Sequence, residues 1–344
     1  MVAQQKAPGL EKSAVKWLGD YVQCGNQTIY LPRFHMFLQD RVQHMWSKIN
    51  QEVLCSVDLG ALGIKIDLSP RRVDCTTGGG AFSGGWDILT ESNDSIKLQK
   101  AIACTENSFL TSPINISKAE AWLKSIHMVW QELFCLIHVL GGPFPSFFLE
   151  ELELLYSTSP TRRGDFFLVG GSLATVNSYE GERHSMLGEY KKRLRLLPHP
   201  LSTALVIMLR LIRPLELSIL LSTPGTPQNK ENLLWNYRHI LYVTHGSKWS
   251  TGTLSNIWHD WIMRGVGFRM DARQYRTFCK SWEAKYGSTN KVGWLGKMAD
   301  AQAGHSSSVS KKHYGRLDGI GGLDTTAALF NKEQCMIWHK WLGF

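Results

Sequence analysis

Apolar residues recur at helical spacing in several long blocks and alternate in only a few short ones, so the chain predicts a mainly α fold with a small β-hairpin sheet. From about Glu11 to Val57, the positions of Val15, Leu18, Tyr21, Met36, Phe37, Val42, Met45 and Trp46 among polar residues predict helix. The pattern dissolves between Leu59 and Asp94 into turn formers, including Ser69-Pro70 and the run Gly78-Gly79-Gly80-Ala81-Phe82-Ser83-Gly84-Gly85. Residues 59–117 are therefore expected to be linker and loops. The glycine run lacks the Gly-Lys-Ser/Thr ending of a phosphate loop, so no nucleotide cofactor is expected.

A second helical block follows Ser117, where Ala119, Trp122, Ile126, Val129, Trp130, Leu133 and Ile137 recur at steps of three and four until Gly141-Gly142-Pro143 stops the run. Phe147 to Tyr156 is also expected to be helical. Asp165–Val169 and Ser172–Val176 flank Gly170-Gly171, which is a β-hairpin signature. Then come an apolar helix from Leu201 to Leu221, a short strand at Leu241–Val243, and helices at Trp249–Val266 and Arg273–Tyr286. The tail from Leu323 to Phe344 is expected to form a helix that packs on its own chain or on a neighbouring copy. The expected organisation is an N-terminal helical region at 1–58, loops at 59–117, a folded unit at 118–320 and the tail at 321–344.

Lysine and arginine number 38 against 29 acidic residues, a formal charge of +9 that suits an anionic partner without identifying one. Between Arg264 and Arg316 the excess is steepest, with only Asp271, Glu283 and Asp300 opposing it. The seven cysteines are scattered and never form a C-x-x-C pair, which argues against a zinc knuckle or a disulfide framework and for a reducing compartment. Neither a signal-peptide core nor an apolar run of bilayer length stands out, so no membrane partner is expected. The expected location is intracellular, and nuclear in a eukaryotic cell.

Two segments of the basic stretch carry chemistry. Arg273-Gln274-Tyr275-Arg276 sets two guanidinium groups one helical turn apart, and Ala303-Gly304-His305-Ser306 precedes Tyr314, nine residues after the histidine. In order and spacing they resemble the H-x-x-R segment, the L-G-H-S segment and the nucleophilic tyrosine of the tyrosine recombinases, with arginine at the first histidine's place. The resemblance covers about residues 118 to 318 and is most specific beyond Arg264. It implies a recombinase-like catalytic core behind an N-terminal helical domain, acting on double-stranded DNA and self-associating there, with no metal and no cofactor.

By that resemblance the Tyr314 hydroxyl attacks a backbone phosphate, and a 3′-phosphotyrosine preserves the bond for rejoining. Arg276 braces the phosphate oxygens with its planar fork, and His305 hydrogen-bonds the same phosphate or assists proton transfer. Arg273 adds charge but stays protonated, so it is a poor acid or base. The family also has an early arginine on a helix, followed by a β-hairpin bearing a lysine general acid. Gly141–Leu152 resembles the Gly-Pro-rich segment that carries this arginine in recombinase-like modules of fungal mobile elements and helicase-associated proteins, yet Ser146, Phe147 and Phe148 stand in its neighbourhood.

Arg213, in Arg213-Pro214-Leu215-Glu216-Leu217, has the family's Glu-Leu spacing and is either the substitute arginine or the end residue of an apolar helix. It follows the hairpin and lies 63 positions before Arg276. Near Tyr179-Glu180-Gly181, where the hairpin leads, no lysine stands, and the nearest are Lys191 and Lys192. Expected DNA contacts are Lys191, Lys192, Arg193, Arg195, Lys248, Arg264, Lys311 and Lys312, because duplex binding rests on many phosphate contacts. Trp249, Trp258, Trp261, Trp282 and Trp294 are expected to pack in the core. Three functions fit this incomplete set: a recombinase with an eroded site, an inactive DNA-binding remnant of a mobile element, and a helical interaction protein without DNA function.

Overall fold

A computed structural model of the chain describes residues 15–66, 68, 71–72, 93–106, 108–111, 114–141, 165–169, 172–179, 191–222, 230–286 and 325–344. Most of these are helical, and the strands form antiparallel sheets of three, four and two strands. The glycine run at 78–85 and the helix expected at 147–156 lie outside the described residues.

The first described residues form a meander, not the helix that their apolar spacing predicts. Strands β1 (Val15–Leu18), β2 (Tyr21–Cys24) and β3 (Gln27–Tyr30) pair with Leu18 opposite Tyr21 and Cys24 opposite Gln27. The reversals are Gly19-Asp20 and Gly25-Asn26, and both glycines have φ of +61°, where a Cβ would be strained. Trp17, Val22 and Ile29 share the inner face, while Leu18, Tyr21 and Tyr30 face outward. Two glycine turns thus outweigh an apolar spacing that suits a helix.

Helix α1 (Leu31–Lys48) follows directly and continues into a π turn at Ile49–Val53. Its buried stripe of Leu31, Phe34, Leu38, Val42 and Met45 belongs to the core that it shares with the helices Ile116–Leu140 and Thr251–Val266. Between them comes α2 (Asn93–Ala103), which lies inside the expected linker and buries Leu98 and Ile102, one turn apart. That part of the linker is therefore folded, because those two side chains reach the core.

Helix α3 (Ile116–Leu140) is the expected core helix, N-capped by Asn115, whose side chain accepts from the Lys118 N–H. Glu132 joins α1, α3 and the later helix: Arg41 Nη1 donates to Oε1 at 3.3 Å and Trp261 Nε1 to Oε2 at 2.7 Å. With both oxygens met, the carboxylate is buried at low cost.

The second sheet has the order β4 (Arg71–Arg72), β5 (Asp165–Val169), β6 (Ser172–Tyr179), β7 (Lys191–Leu196). The hairpin expected around Gly170-Gly171 is present, with Val169 opposite Ser172. The basic stretch at 191–196, expected to contact DNA, forms its edge strand. Next, α4 (His199–Ile207), a π turn (Met208–Ile212) and α5 (Arg213–Ser222) build the expected apolar rod, almost entirely buried. Then come α6 (Lys230–His239), the two-stranded hairpin β8 (Val243–Thr244) and β9 (Ser247–Lys248), α7 (Thr251–Val266) and α8 (Ala272–Tyr286). Helix α7 approaches α1 so closely that a Cβ on Gly265 would stand 2.5 Å from the Phe37 ring.

The tail helix α9 (Thr325–Leu342) packs on its own chain. Trp338 Nε1 donates to the Val139 carbonyl at 2.8 Å and His339 Nε2 to the Leu140 carbonyl at 2.6 Å, covering the orphan carbonyls at the end of α3. The Leu196 N–H bonds Cys335 Sγ at 3.5 Å, which closes the exit of β7. Trp258, Trp261 and Trp282 are buried as expected and Trp249 is half-buried; Trp294 lies outside the described residues. One cluster of buried side chains runs from Val22 to Leu342, so the regions expected at 1–58 and 118–320 share a core. Each fully buried leucine, isoleucine or phenylalanine contributes about 1.5–3 kcal/mol to it.

Candidate functional site

The hairpin Val243–Lys248 is too short to be stable alone, since only Val243 with Lys248 and Thr244 with Ser247 are paired. Its turn, His245-Gly246, has φ of +51° and +82°, the left-handed pair that a type I′ turn needs, with histidine where glycine or asparagine is usual. A side chain held there costs about 1–3 kcal/mol and persists only where the surroundings over-determine it.

Those surroundings come from α3, α5 and the preceding α6. Arg213, at the start of α5, is fully buried and donates through Nη1 to the Tyr237 carbonyl at 3.3 Å and the Ile240 carbonyl at 3.0 Å, and through Nη2 to the Leu241 carbonyl. Its guanidinium carbon lies 5.0 Å from the Trp130 ring centroid and 5.7 Å from that of Tyr237. The chain is thereby fixed where α6 ends and the hairpin begins. The turn is gripped too: the Asn236 side chain donates to the Gly246 carbonyl at 2.8 Å, and the Gly246 N–H bonds the Tyr237 phenol oxygen.

Tyr237 in turn donates to Glu216 Oε1 at 2.6 Å. Burial pushes the Glu216 carboxyl up to about 7, against the downward pull of the Tyr237 hydroxyl and the Arg213 charge. Glu216 Oε2 has no hydrogen-bond partner among the described residues, which is cheaper for a neutral carboxyl than for a carboxylate.

From the other side α3 contributes His127, whose Nδ1 lies 2.9 Å from Thr244 Oγ1 and whose Nε2 lies 2.9 Å from Gln131 Nε2. Trp249 Nε1 donates to the same threonine oxygen at 2.7 Å. Burial, then the neighbouring His245, hold the His127 pKa below its ordinary value. The result is a rigidly presented tip with His245, Ser247 and Lys248 exposed.

Of the residues expected from sequence, Lys248 is thus on the hairpin, and Arg264 is exposed in the last turn of α7. Arg273 and Arg276 sit one turn apart on α8. Lys191, Lys192, Arg193 and Arg195 lie on β7. His305, Lys311, Lys312 and Tyr314 lie outside the described residues. Arg213, weighed as an early phosphate-binding arginine, is instead an interior anchor: its guanidinium has no exposed surface, and Nη1 and Nη2 donate to backbone carbonyls.

Sequence reading missed the hairpin's second strand and its anchors. The signal is present in Tyr242-Val243-Thr244-His245-Gly246-Ser247-Lys248-Trp249, where an X-Gly pair separates strand-forming residues. Among the described residues no helix is long and apolar enough to cross a membrane, and no group of His, Cys, Asp or Glu is arranged to hold a metal ion. No protein-family model, curated protein or solved structure matches the chain.

Proposed function

We propose that the chain is a DNA-binding protein of tyrosine-recombinase type, with Lys248 as its hairpin lysine and α8 as its arginine helix. The order of elements supports this. A helix opening with Arg213 and Glu216 is followed by an anchored hairpin exposing Lys248, then by Arg273 and Arg276 on α8, and then by the His305–Tyr314 spacing. The hairpin at 165–176 is then an accessory sheet, and the missing lysine near Tyr179 needs no explanation. Strand cleavage would form a bond from Tyr314 oxygen to phosphorus and break the bond to the 5′ oxygen. The Lys248 ammonium is the group suited to give that oxygen its proton.

The burial of Arg213 favours a second reading, an inactive DNA-binding remnant. Without a second arginine at the phosphate, transition-state stabilisation falls by several kcal/mol. Incubation with a nicked suicide duplex separates the two. An active enzyme gives a covalent protein–DNA band that is absent in Tyr314→Phe and weaker in Lys248→Ala. A remnant gives salt-sensitive binding without the band, and absence of DNA binding sinks both.

A further inference from the structure

His245 works against the fold that holds it. It sits at φ +51°, where a Cβ is strained, at a turn position that glycine or asparagine fills without strain. The side chain is exposed, and among the described residues it makes no hydrogen bond. The ring it does meet is that of His127, 6.4 Å away between centroids, and charge on one imidazole opposes charge on the other. The backbone beside it is nevertheless fixed: Gly246 is buried, with its carbonyl held by Asn236 and its N–H by Tyr237. A strained side chain that no internal contact stabilises, on a turn that cannot drift, is characteristic of a position that touches a ligand.

The tip that His245 occupies is a set of donors. His245, Ser247 and Lys248 are exposed there, and the stretch from Leu241 to Ser250 contains no acid. An imidazole N–H, a hydroxyl and an ammonium all suit an anionic oxygen. We infer that His245 is a DNA-contact residue: its imidazole donates to a phosphate oxygen of the duplex that the hairpin engages, and this contact is why a histidine stands where the turn favours glycine. The inference rests on the DNA-binding reading and adds a second contact to the hairpin that carries Lys248. The plain alternative is that His245 packs on His127 and helps to seat the hairpin on α3. The two differ in sign, because a contact residue gives up stability for binding, whereas a packing residue serves stability.

The test pairs thermal melts with binding of the full chain to a short fluorescent duplex at fixed salt. His245→Gly is expected to raise the melting temperature and at the same time to weaken binding about tenfold, the loss of one hydrogen bond to a charged group. His245→Asn suits the same turn and keeps an N–H donor, so it is expected to melt no lower than the wild type and to bind better than the glycine variant. A lowered melting temperature in His245→Gly, whatever its affinity, assigns the imidazole to packing and overturns the inference. Unchanged or tighter binding overturns it too, as does an asparagine variant that binds no better than glycine. Dextran sulfate held as tightly as the duplex, with the same variant pattern, overturns the commitment to DNA. Lys248→Ala and Arg276→Ala in the same assay report separately on the parent reading. If they weaken binding and His245→Gly does not, only the histidine inference fails. The reverse removes the assignments of Lys248 and Arg276 and leaves the histidine contact; a wild type that does not bind duplex removes both.

Discussion

Two parts of this molecule reverse the chain with two-residue turns between short antiparallel strands, and they are held in opposite ways. The N-terminal meander is specified locally: glycines occupy the positive-φ positions, and each of its strands has four residues in register. The β8–β9 hairpin has two paired positions per strand and a histidine at positive φ, and it is held by His127 and Arg213 from helices distant in sequence and by Asn236 and Tyr237 from the helix just before it. A turn that needs that much external support, and that exposes His245 and Lys248, has the character of a presented site; the meander has that of a scaffold.

The largest expected effect comes from removing the anchor. Arg213→Leu leaves buried carbonyls without donors and should cost about 3–5 kcal/mol in urea unfolding. Amide exchange of residues 243–249 should accelerate far more than that of the meander. Equal loss of protection in both regions would falsify the claim that Arg213 serves the hairpin in particular.

Next is the pH dependence carried by Glu216. Its folded pKa of about 7 lies above its ordinary 4.5, so the folded state binds the proton more tightly. The stabilisation is present in full below about pH 4.5 and is lost as pH rises through about 7, a change on the order of 3 kcal/mol. Glu216→Gln should flatten that part of the stability–pH curve; an unchanged slope means that Glu216 is not the titrating group.

The smallest effects are opposite in sign. Gly19→Ala forces a Cβ into the left-handed region and should destabilise the meander by about 1 kcal/mol, whereas His245→Gly should relieve strain and stabilise the hairpin by about 0.5–1 kcal/mol. Thermal melts of the two variants compare them directly. A destabilised His245→Gly would show that the imidazole makes a contact worth more than the strain.

Much of the helical framework is legible in the sequence, because α3, α7, α8 and the tail carry apolar positions at steps of three and four. The hairpin at Gly170-Gly171 is equally readable from its turn pair. The meander is harder, since Val15, Leu18 and Tyr21 recur at a helical step of three, and Gly19 and Gly25 decide the matter only when read as turns. The candidate site divides similarly: Lys248, Arg264, Arg273 and Arg276 stand out as charges in a basic region, whereas His127, Asn236 and Tyr237 have no local pattern that marks them as anchors.

What the sequence determined by itself was therefore periodicity, turn chemistry and the location of charge, all of which depend on neighbours along the chain. Tertiary structure alone decided that Arg213 turns inward to three carbonyls, that Glu216 is buried against Tyr237, and that the stretch at 191–196 becomes the edge of a four-stranded sheet. The physical reason is that burial and strand register are set by distant partners, and a side chain's charge has no fixed role until those partners fix its surroundings.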